Sequence, residues 1–546
     1  MSISSEINRI DITWWELFDT IQGLKTEVQN RIVIEREVIP IIFVPGIMGS
    51  RLKFAQGEDQ GERVWDPDAS WFMAKKFGLA SVDAAEKKAL LVGEKFDPDY
   101  LEVDTDNPKL DASFLRRYPG ANKRGWGGVM LGSYGPILQA LHDHRWKEPV
   151  GHCFEFPVHA FGYNWTASNL DAGRKLKEYI DATIDHYAKG LKDEAGRPME
   201  RLCTRVILVT HSMGGLVARS ACMLHGAAKE VLGVVHGVQP ATGSPAAYWR
   251  MKAGFERPTG GPRKSIWDWV LNPLKMLERL GMGHVSAWIL GTNGEEVTAL
   301  LGNMPGGLQL LPTREYRDNT GSRQWLAYPG ADGHTVSLPR SAPYDDVYRV
   351  RDNVPWRMVN PDWLDPGQQS HSELNPATGP WEKYLGCLDK AEEFHDRLGS
   401  QVHDNTVQFY STTLDSPDRI VYSRESYDQP SPRRQQGELL HRFRNKGEFQ
   451  AYVDGNDNMR DTSAGATAVV TMEPFSGTGD GTVPDSSGKA LKVPTARIGR
   501  EAPADFFSID HQKIYETDTA QEIVFTAVWN LALTRIEEKV GKISEC

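Results

Sequence analysis

Residues 206–219 read Val-Ile-Leu-Val-Thr-His-Ser-Met-Gly-Gly-Leu-Val-Ala-Arg, and this stretch constrains the fold more than any other. An apolar run rich in β-branched residues ends at Thr210. A short turn carries Ser212, and an apolar helical pattern begins at Gly215. Strand, sharp turn with a serine, then helix put the Ser212 hydroxyl in the open at the carboxyl edge of a sheet. The helix start behind it offers free N–H groups and positive dipole. Gly214 and Gly215 let the helix return close to the strand, where a Cβ would collide. The usual spacing of such turns is Gly-x-Ser-x-Gly, and Thr210 stands in the place of the first glycine. A small side chain is tolerated there if the turn opens slightly. Without partners, the same residues describe only a core strand, a helix and an incidental serine.

A serine hydroxyl is a weak nucleophile until a base takes its proton, and the base needs an acid to orient it. After a turn of this kind the chain order is serine, acid, histidine. Downstream, Gly477-Thr-Gly-Asp480-Gly-Thr-Val-Pro484 holds an aspartate among glycines, and Phe506-Phe-Ser-Ile-Asp-His511 puts a histidine just before a helical pattern. The expected roles are Ser212 as nucleophile, His511 as base and Asp480 as its orienting acid. Turn aspartates and helix-entry histidines are common, so each residue alone says little. Asp332-Gly-His334 is a rival pair, but its two members are too close in sequence to come from separate loops. His236, after the following strand, reads as a wall residue, and Asp510 is a weaker alternative to Asp480.

Several segments resemble one family. Val44-Pro-Gly-Ile-Met-Gly-Ser-Arg-Leu52 is similar to the first-strand motif of the lecithin:cholesterol acyltransferase-like lipases, much of which the PGAP1-like esterases share. Tyr163-Asn-Trp-Thr166 resembles their Tyr-Asp-Trp-Arg segment, with Asn for Asp and Thr for Arg. Met304–Pro312 resembles their Leu-Leu-Pro lid segment, and Gly479–Pro484 their acid loop. The resemblance implies an α/β-hydrolase fold, the triad above and no cofactor or metal. For the oxyanion the fold rule favours the backbone N–H of Met213 with a second donor at Ile47 or Met48 after the first strand, and the resemblance also allows the segment Gly125–Val129. It extends to antibacterial phospholipase effectors of type VI secretion systems. That narrower form implies an immunity protein and a secretion-system partner.

Composition sets outer bounds. The 546 residues carry a net charge of −11, which argues against nucleic acid and against general attraction to anionic lipid. Five cysteines are scattered with no CxxC pair, so neither a zinc site nor a disulfide framework is expected. The N-terminus lacks the pattern of a secretory signal, and no run of about 18 apolar residues would span a bilayer. The expected location is the cytoplasm of the producing cell, with export by a dedicated secretion system in the effector form. Residues 13–28 carry Trp14, Leu17, Phe18, Ile21 and Leu24 at helical spacing.

Apolar runs at 38–44, 206–209, 231–238 and 407–410 alternate with helical patterns such as 168–188 and 511–538. That alternation predicts a mostly parallel sheet with helices on both faces. The expected organisation is an N-terminal helical segment at 1–37 and a core at 38–244 and 401–546, with a polar insertion at 413–470. A cap at 245–400 is expected, with part of segment 264–301 covering Ser212 and Trp267, Trp269, Leu274 or Trp288 as lid residues near the pocket or on an exposed apolar patch. The predicted function is serine-dependent hydrolysis of a lipid ester at a membrane interface. A soluble-ester esterase and a lipid acyltransferase would use the same residues. A binding or scaffold protein on this fold would have lost Ser212, Asp480 or His511.

Overall fold

Ile41–Val44 is buried without interruption and forms strand β1 of the central sheet. The remaining strands are β2 (Val158–Ala160), β3 (Val206–His211), β4 (Val231–Gly237), β5 (Thr406–Ser411) and β6 (Thr495–Ile498). Their order is β6-β5-β4-β3-β1-β2, and every neighbouring pair is parallel. The structure is a computed structural model that describes residues 7–13, 29–73, 76, 83–93, 100–189, 191–192, 198–199, 202–255, 290–291, 293–367, 379–427, 448–474, 477–499 and 510–544.

Continuous apolar runs, rather than alternating ones, are what a sheet covered on both faces requires. Successive side chains then serve opposite cores. Ile42, Val44 and Leu208 enter one apolar cluster, while Ile41, Phe43, Ile207 and Val209 enter the other. The helices divide accordingly. Helix α1 (Leu131–Asp143) and the long C-terminal Asp518–Ser544 supply Ile137, Leu138, Val524 and Val528 to the second cluster. Helices α2 (Asn169–Lys189) and α3 (Gly214–Leu224) supply Leu176, Ile180, Leu216 and Val217 to the first. This doubly covered parallel sheet is the α/β architecture that the sequence predicts.

Three expectations need correction. Segment 1–37 is not helical throughout, because Ile7–Thr13 and Gln29–Glu35 are strands paired in parallel. The helix expected over 13–28 otherwise lies outside the described residues. Secondly, the cap and the polar insertion are not separate units. Cap strands Leu326–Pro329 and Thr335–Leu338 join Ile420–Ser426, Gln450–Val453, Met459–Arg460 and Ala468–Glu473 in one six-stranded sheet. Its inward residues Leu326, Tyr328, Tyr422, Val470 and Met472 share the first cluster with the body. Outward positions of those strands include Ser423, Glu425, Thr471 and Glu473, so the stretch reads as surface in sequence. Thirdly, the Leu-Leu-Pro segment is a packed wall: Leu308 and Leu311 are fully buried. The expected lid residues Trp267, Trp269, Leu274 and Trp288 lie outside the described residues. Among the described residues no helix is long and apolar enough to cross a membrane.

His159, His211, His236 and His395 are held as neutral rings. Burial, the main cause in each, pushes His159, His211 and His236 down to about 3 and His395 to about 4. In the unfolded chain each protonates near its ordinary value, about 6.5. Between those limits the unfolded chain binds more protons, so stability is present above about pH 6.5 and is lost as pH falls toward 3. Thermal midpoints measured from pH 7 to pH 4 should fall steadily. His159, held between the hydroxyls of Tyr179 and Tyr187 at 3.0 Å each, is the most direct control. His159→Gln should flatten the slope, and an unchanged slope would remove this residue as a contributor.

Candidate active site

The turn after β3 is tight because β1 lies directly beneath it. A Cβ on Gly214 would stand 2.4 Å from the Val44 carbonyl oxygen and 2.5 Å from that of Pro45. Only glycine permits that approach. Ser212 itself has φ +53°, a left-handed conformation that strains an ordinary L-residue and that such turns impose on the serine they present. Its N–H donates to the Gly237 carbonyl at 3.0 Å, fixing the turn to β4.

Thr210 fits in the place of the usual glycine for a specific reason. It is fully buried, and its hydroxyl lies 2.8 Å from His236 Nδ1 on the neighbouring strand. The Tyr515 hydroxyl donates to its carbonyl at 2.8 Å. His236 is therefore a buried partner of Thr210. The other rival histidine, His334, is largely exposed and pairs with Asp332 at 3.3 Å.

Asp480 reaches the site by an indirect route. After β5 the chain makes Leu414–Ser416, leaves for the second sheet, and returns as Gly477–Gly479, antiparallel to that short strand. Ser416 Oγ accepts the Gly481 N–H at 2.8 Å. The carboxylate is almost fully buried, and its Oδ1 accepts the N–H groups of Thr482 and Val483 at 3.0 and 2.7 Å. Its Oδ2 accepts from His511 Nδ1 at 2.6 Å, and the His511 N–H donates to the Asp480 carbonyl at 2.9 Å. With the Nδ1 proton so engaged, the Nε2 lone pair faces the Ser212 hydroxyl, 2.7 Å away. The structure thus brings Ser212, His511 and Asp480 together, while Asp510 accepts the Lys513 N–H at the next turn.

These residues open into a cavity of about 570 Å³. Its apolar side is built from Ile47, Met48, Phe255, Leu290, Leu301 and Leu310, and Arg250 stands on its wall. Ile47 and Met48 belong to a turn closed by the Gly49 N–H donating to the Gly46 carbonyl at 3.1 Å, with Met48 at φ +63°. Met213 is the residue before α3, its side chain fully buried in the first cluster. The segment Gly125–Val129 does not line the cavity. Its carbonyls at Gly127 and Gly128 accept from Arg51, which also pairs with Asp66 and Asp104 at 3.1 and 2.9 Å. It is a seat for that buried cation, which the motif Ser50-Arg51-Leu52 carries in from the first strand. Sequence reasoning missed His211 and Tyr134, which contact one another under the site at 3.0 Å. Neither stands in a spacing that signals chemistry.

Residues 136–253 match the family model of the PGAP1-like alpha/beta domain. The Tle4 chain of the crystal structure of the Tle4-Tli4 complex is 25% identical, with a TM-score of 0.65, over 91% of this chain and 99% of that one. Residues 136–253 thus carry a PGAP1-like alpha/beta domain, and the chain has the α/β-hydrolase fold. It is a lipase- or esterase-type enzyme, and the extent of the Tle4 likeness agrees with the type VI effector resemblance of its sequence motifs. The mature Bacillus licheniformis lipase BlEst2 is 14% identical over 46% of this chain and 57% of that one, at a TM-score of 0.17. Phospholipase PlaB from Legionella pneumophila is 13% identical over 63% and 77%, also at 0.17. No curated protein matches the chain.

Thr210→Val keeps the shape of the side chain and removes the hydroxyl that meets His236. Leaving a buried ring nitrogen unpaired costs about 1–3 kcal/mol. Denaturant unfolding should register that loss. Turnover per folded molecule should stay near wild type, because Thr210 does not line the cavity and its hydroxyl is engaged with His236.

Proposed function

We propose that the enzyme hydrolyses carboxylic esters of membrane lipids through an acyl-enzyme on Ser212. The observation that carries this reading is the 2.7 Å and 2.6 Å pair of contacts from His511 to Ser212 and Asp480. Ser212, His511 and Asp480 line a cavity that Ile47, Met48, Phe255, Leu290, Leu301 and Leu310 also line. His511 Nε2 takes the Ser212 proton as Oγ attacks the carbonyl carbon. The same nitrogen then returns the proton to the departing alcohol. A water deprotonated by His511 attacks the acyl carbon in the second half and frees the fatty acid. Asp480, held by two backbone N–H groups as well as His511, keeps the ring in one tautomer and stabilises its cation.

The tetrahedral oxyanion needs two preorganised donors. Met213 N–H supplies one from the start of α3, where the helix dipole adds to it. The turn at Ile47 and Met48 supplies the other. Gly125–Val129 is set aside, since it lies outside the cavity lining and its carbonyls hold Arg51. No cofactor or metal enters the scheme.

In the effector form the substrate is the phospholipid of a target-cell membrane. The chain is then made in the cytoplasm, exported by a type VI system, and neutralised in its producer by an immunity protein. The likeness to Tle4, solved in complex with Tli4, supports such a partner.

Vesicles of defined phospholipid, with products resolved by mass, test this directly. Wild-type enzyme should release free fatty acid and lysolipid. Ser212→Ala should lose activity on the order of 10⁴-fold or more with an almost unchanged thermal midpoint. Asp480→Asn should cost roughly 10³–10⁴-fold by stabilising the wrong tautomer. Activity retained in Ser212→Ala would remove the nucleophile. Equal rates on a short soluble ester and on the same ester presented in micelles would favour the soluble-ester esterase instead.

A further inference from the structure

Beneath the triad lies a second histidine that the proposed chemistry does not use. His211 directly precedes the serine, is almost fully buried, and its ring centroid is 4.9 Å from that of His511. Its Nε2 is 2.8 Å from the His511 carbonyl oxygen, and its Nδ1 is 3.0 Å from the Tyr134 hydroxyl. The Gly46 N–H reaches the same hydroxyl at 3.2 Å.

These contacts have only one consistent direction. A carbonyl oxygen accepts and never donates, so His211 Nε2 carries the proton. Burial, with His511 as a second cause, pushes the His211 pKa down to about 3, so the ring is neutral and Nδ1 has a lone pair. Tyr134 therefore donates to Nδ1, and its oxygen accepts from Gly46. The chain of bonds runs from Gly46 N–H to Tyr134, from Tyr134 O–H to His211, and from His211 N–H to the His511 carbonyl. It joins the turn after β1, helix α1, the serine turn and the base loop.

We propose that His211 and Tyr134 are positioning residues that hold the His511 main chain and the turn at Gly46–Gly49 in fixed register with Ser212. Without them, the carbonyl of His511 is released on one side and the N–H of Gly46 on the other. Packing supports the same conclusion. A Cβ on Gly46 would be 2.9 Å from His211 Nδ1, and one on Gly49 would be 2.7 Å from the Tyr134 ring. The turn that offers the second oxyanion donor is therefore moulded on these two side chains. Tyr134 does not line the cavity, and His211, which borders it, is buried with both ring nitrogens engaged, so the effect should fall on turnover rather than affinity. A misplacement of reacting groups by about 1 Å costs on the order of 10²-fold.

The inference rests on the roles proposed for Ser212 and His511, and one experiment separates the two. Wild type, Ser212→Ala, Tyr134→Phe, His211→Phe, His211→Gln and the double variant Tyr134→Phe/His211→Phe are assayed on p-nitrophenyl butyrate, with thermal midpoints measured in parallel. Tyr134→Phe and His211→Phe should each lower kcat by about 10²-fold with KM nearly constant. The glutamine amide can reach the Nε2 position and donate to the His511 carbonyl, so His211→Gln should recover much of the loss. The double variant should lose little more than the worse single one, because both act through one chain of bonds. Wild-type kcat in Tyr134→Phe and His211→Phe, with Ser212→Ala inactive, would overturn the inference and leave the proposed function standing. Loss without recovery in His211→Gln, in proportion to the fall in thermal midpoint, would also overturn it, since a merely structural role behaves that way. Activity in Ser212→Ala would overturn the function proposed and this inference with it. If His211→Phe does not fold, Tyr134→Phe decides alone.

Discussion

Everything at the active site depends on how closely the start of α3 approaches the end of β1. At Gly214 no Cβ fits between the helix and the carbonyls of Val44 and Pro45. That contact forces the chain to reverse within a few residues and drives Ser212 into its left-handed conformation. The strain is sustained because β3 is an interior strand of the sheet, hydrogen-bonded to β1 on one side and β4 on the other. A turn on an edge strand would relax. Here the surroundings over-determine it.

Two parallel neighbours also explain where the remaining parts converge. In a parallel sheet all carboxyl ends lie on one edge, and loops from separate strands meet there. The turn after β1 supplies Ile47 and Met48, the turn after β3 supplies Ser212, and the excursion after β5 returns with Asp480. His511 arrives after β6, just ahead of the final helix. The cavity is thus assembled from segments spread over more than 460 residues of sequence.

The architecture was legible because its signals are local. Unbroken apolar runs at Ile41–Val44 and Val206–Val209 announce doubly buried strands, and the serine turn announces itself by its glycines. The pairing of cap and insertion was not legible. Ile420–Ser426 and Ala468–Glu473 pair with each other and, over part of their length, show only every second residue inward, and the other partner of Ile420–Ser426, Leu326–Pro329, lies almost a hundred residues earlier. Register between such distant strands is set by packing that no window of sequence contains. Thr210 illustrates a different gap. As a missing glycine it looks like a departure, but its hydroxyl has a partner on the next strand, and that partner is visible only in three dimensions. His211 was passed over for a related reason: one histidine next to a serine carries no spacing pattern, and its meaning comes from the carbonyl and the hydroxyl on either side of it.

The short antiparallel clasp between Leu414–Ser416 and Gly477–Gly479 has a consequence for how this enzyme could diversify. It closes the base of a long excursion, so the acid loop is anchored at its root whatever lies beyond. The cost of closing a loop grows only slowly with its length. Exposed residues between the two arms of the clasp can therefore change, and the turns joining its strands can lengthen or shorten, while the carboxylate stays in place and inward residues such as Tyr422, Val470 and Met472 keep the packing. A molecule that must meet a changing counterpart, or escape one, gains from that separation. Its outer surface can change while the chemistry beneath it does not move.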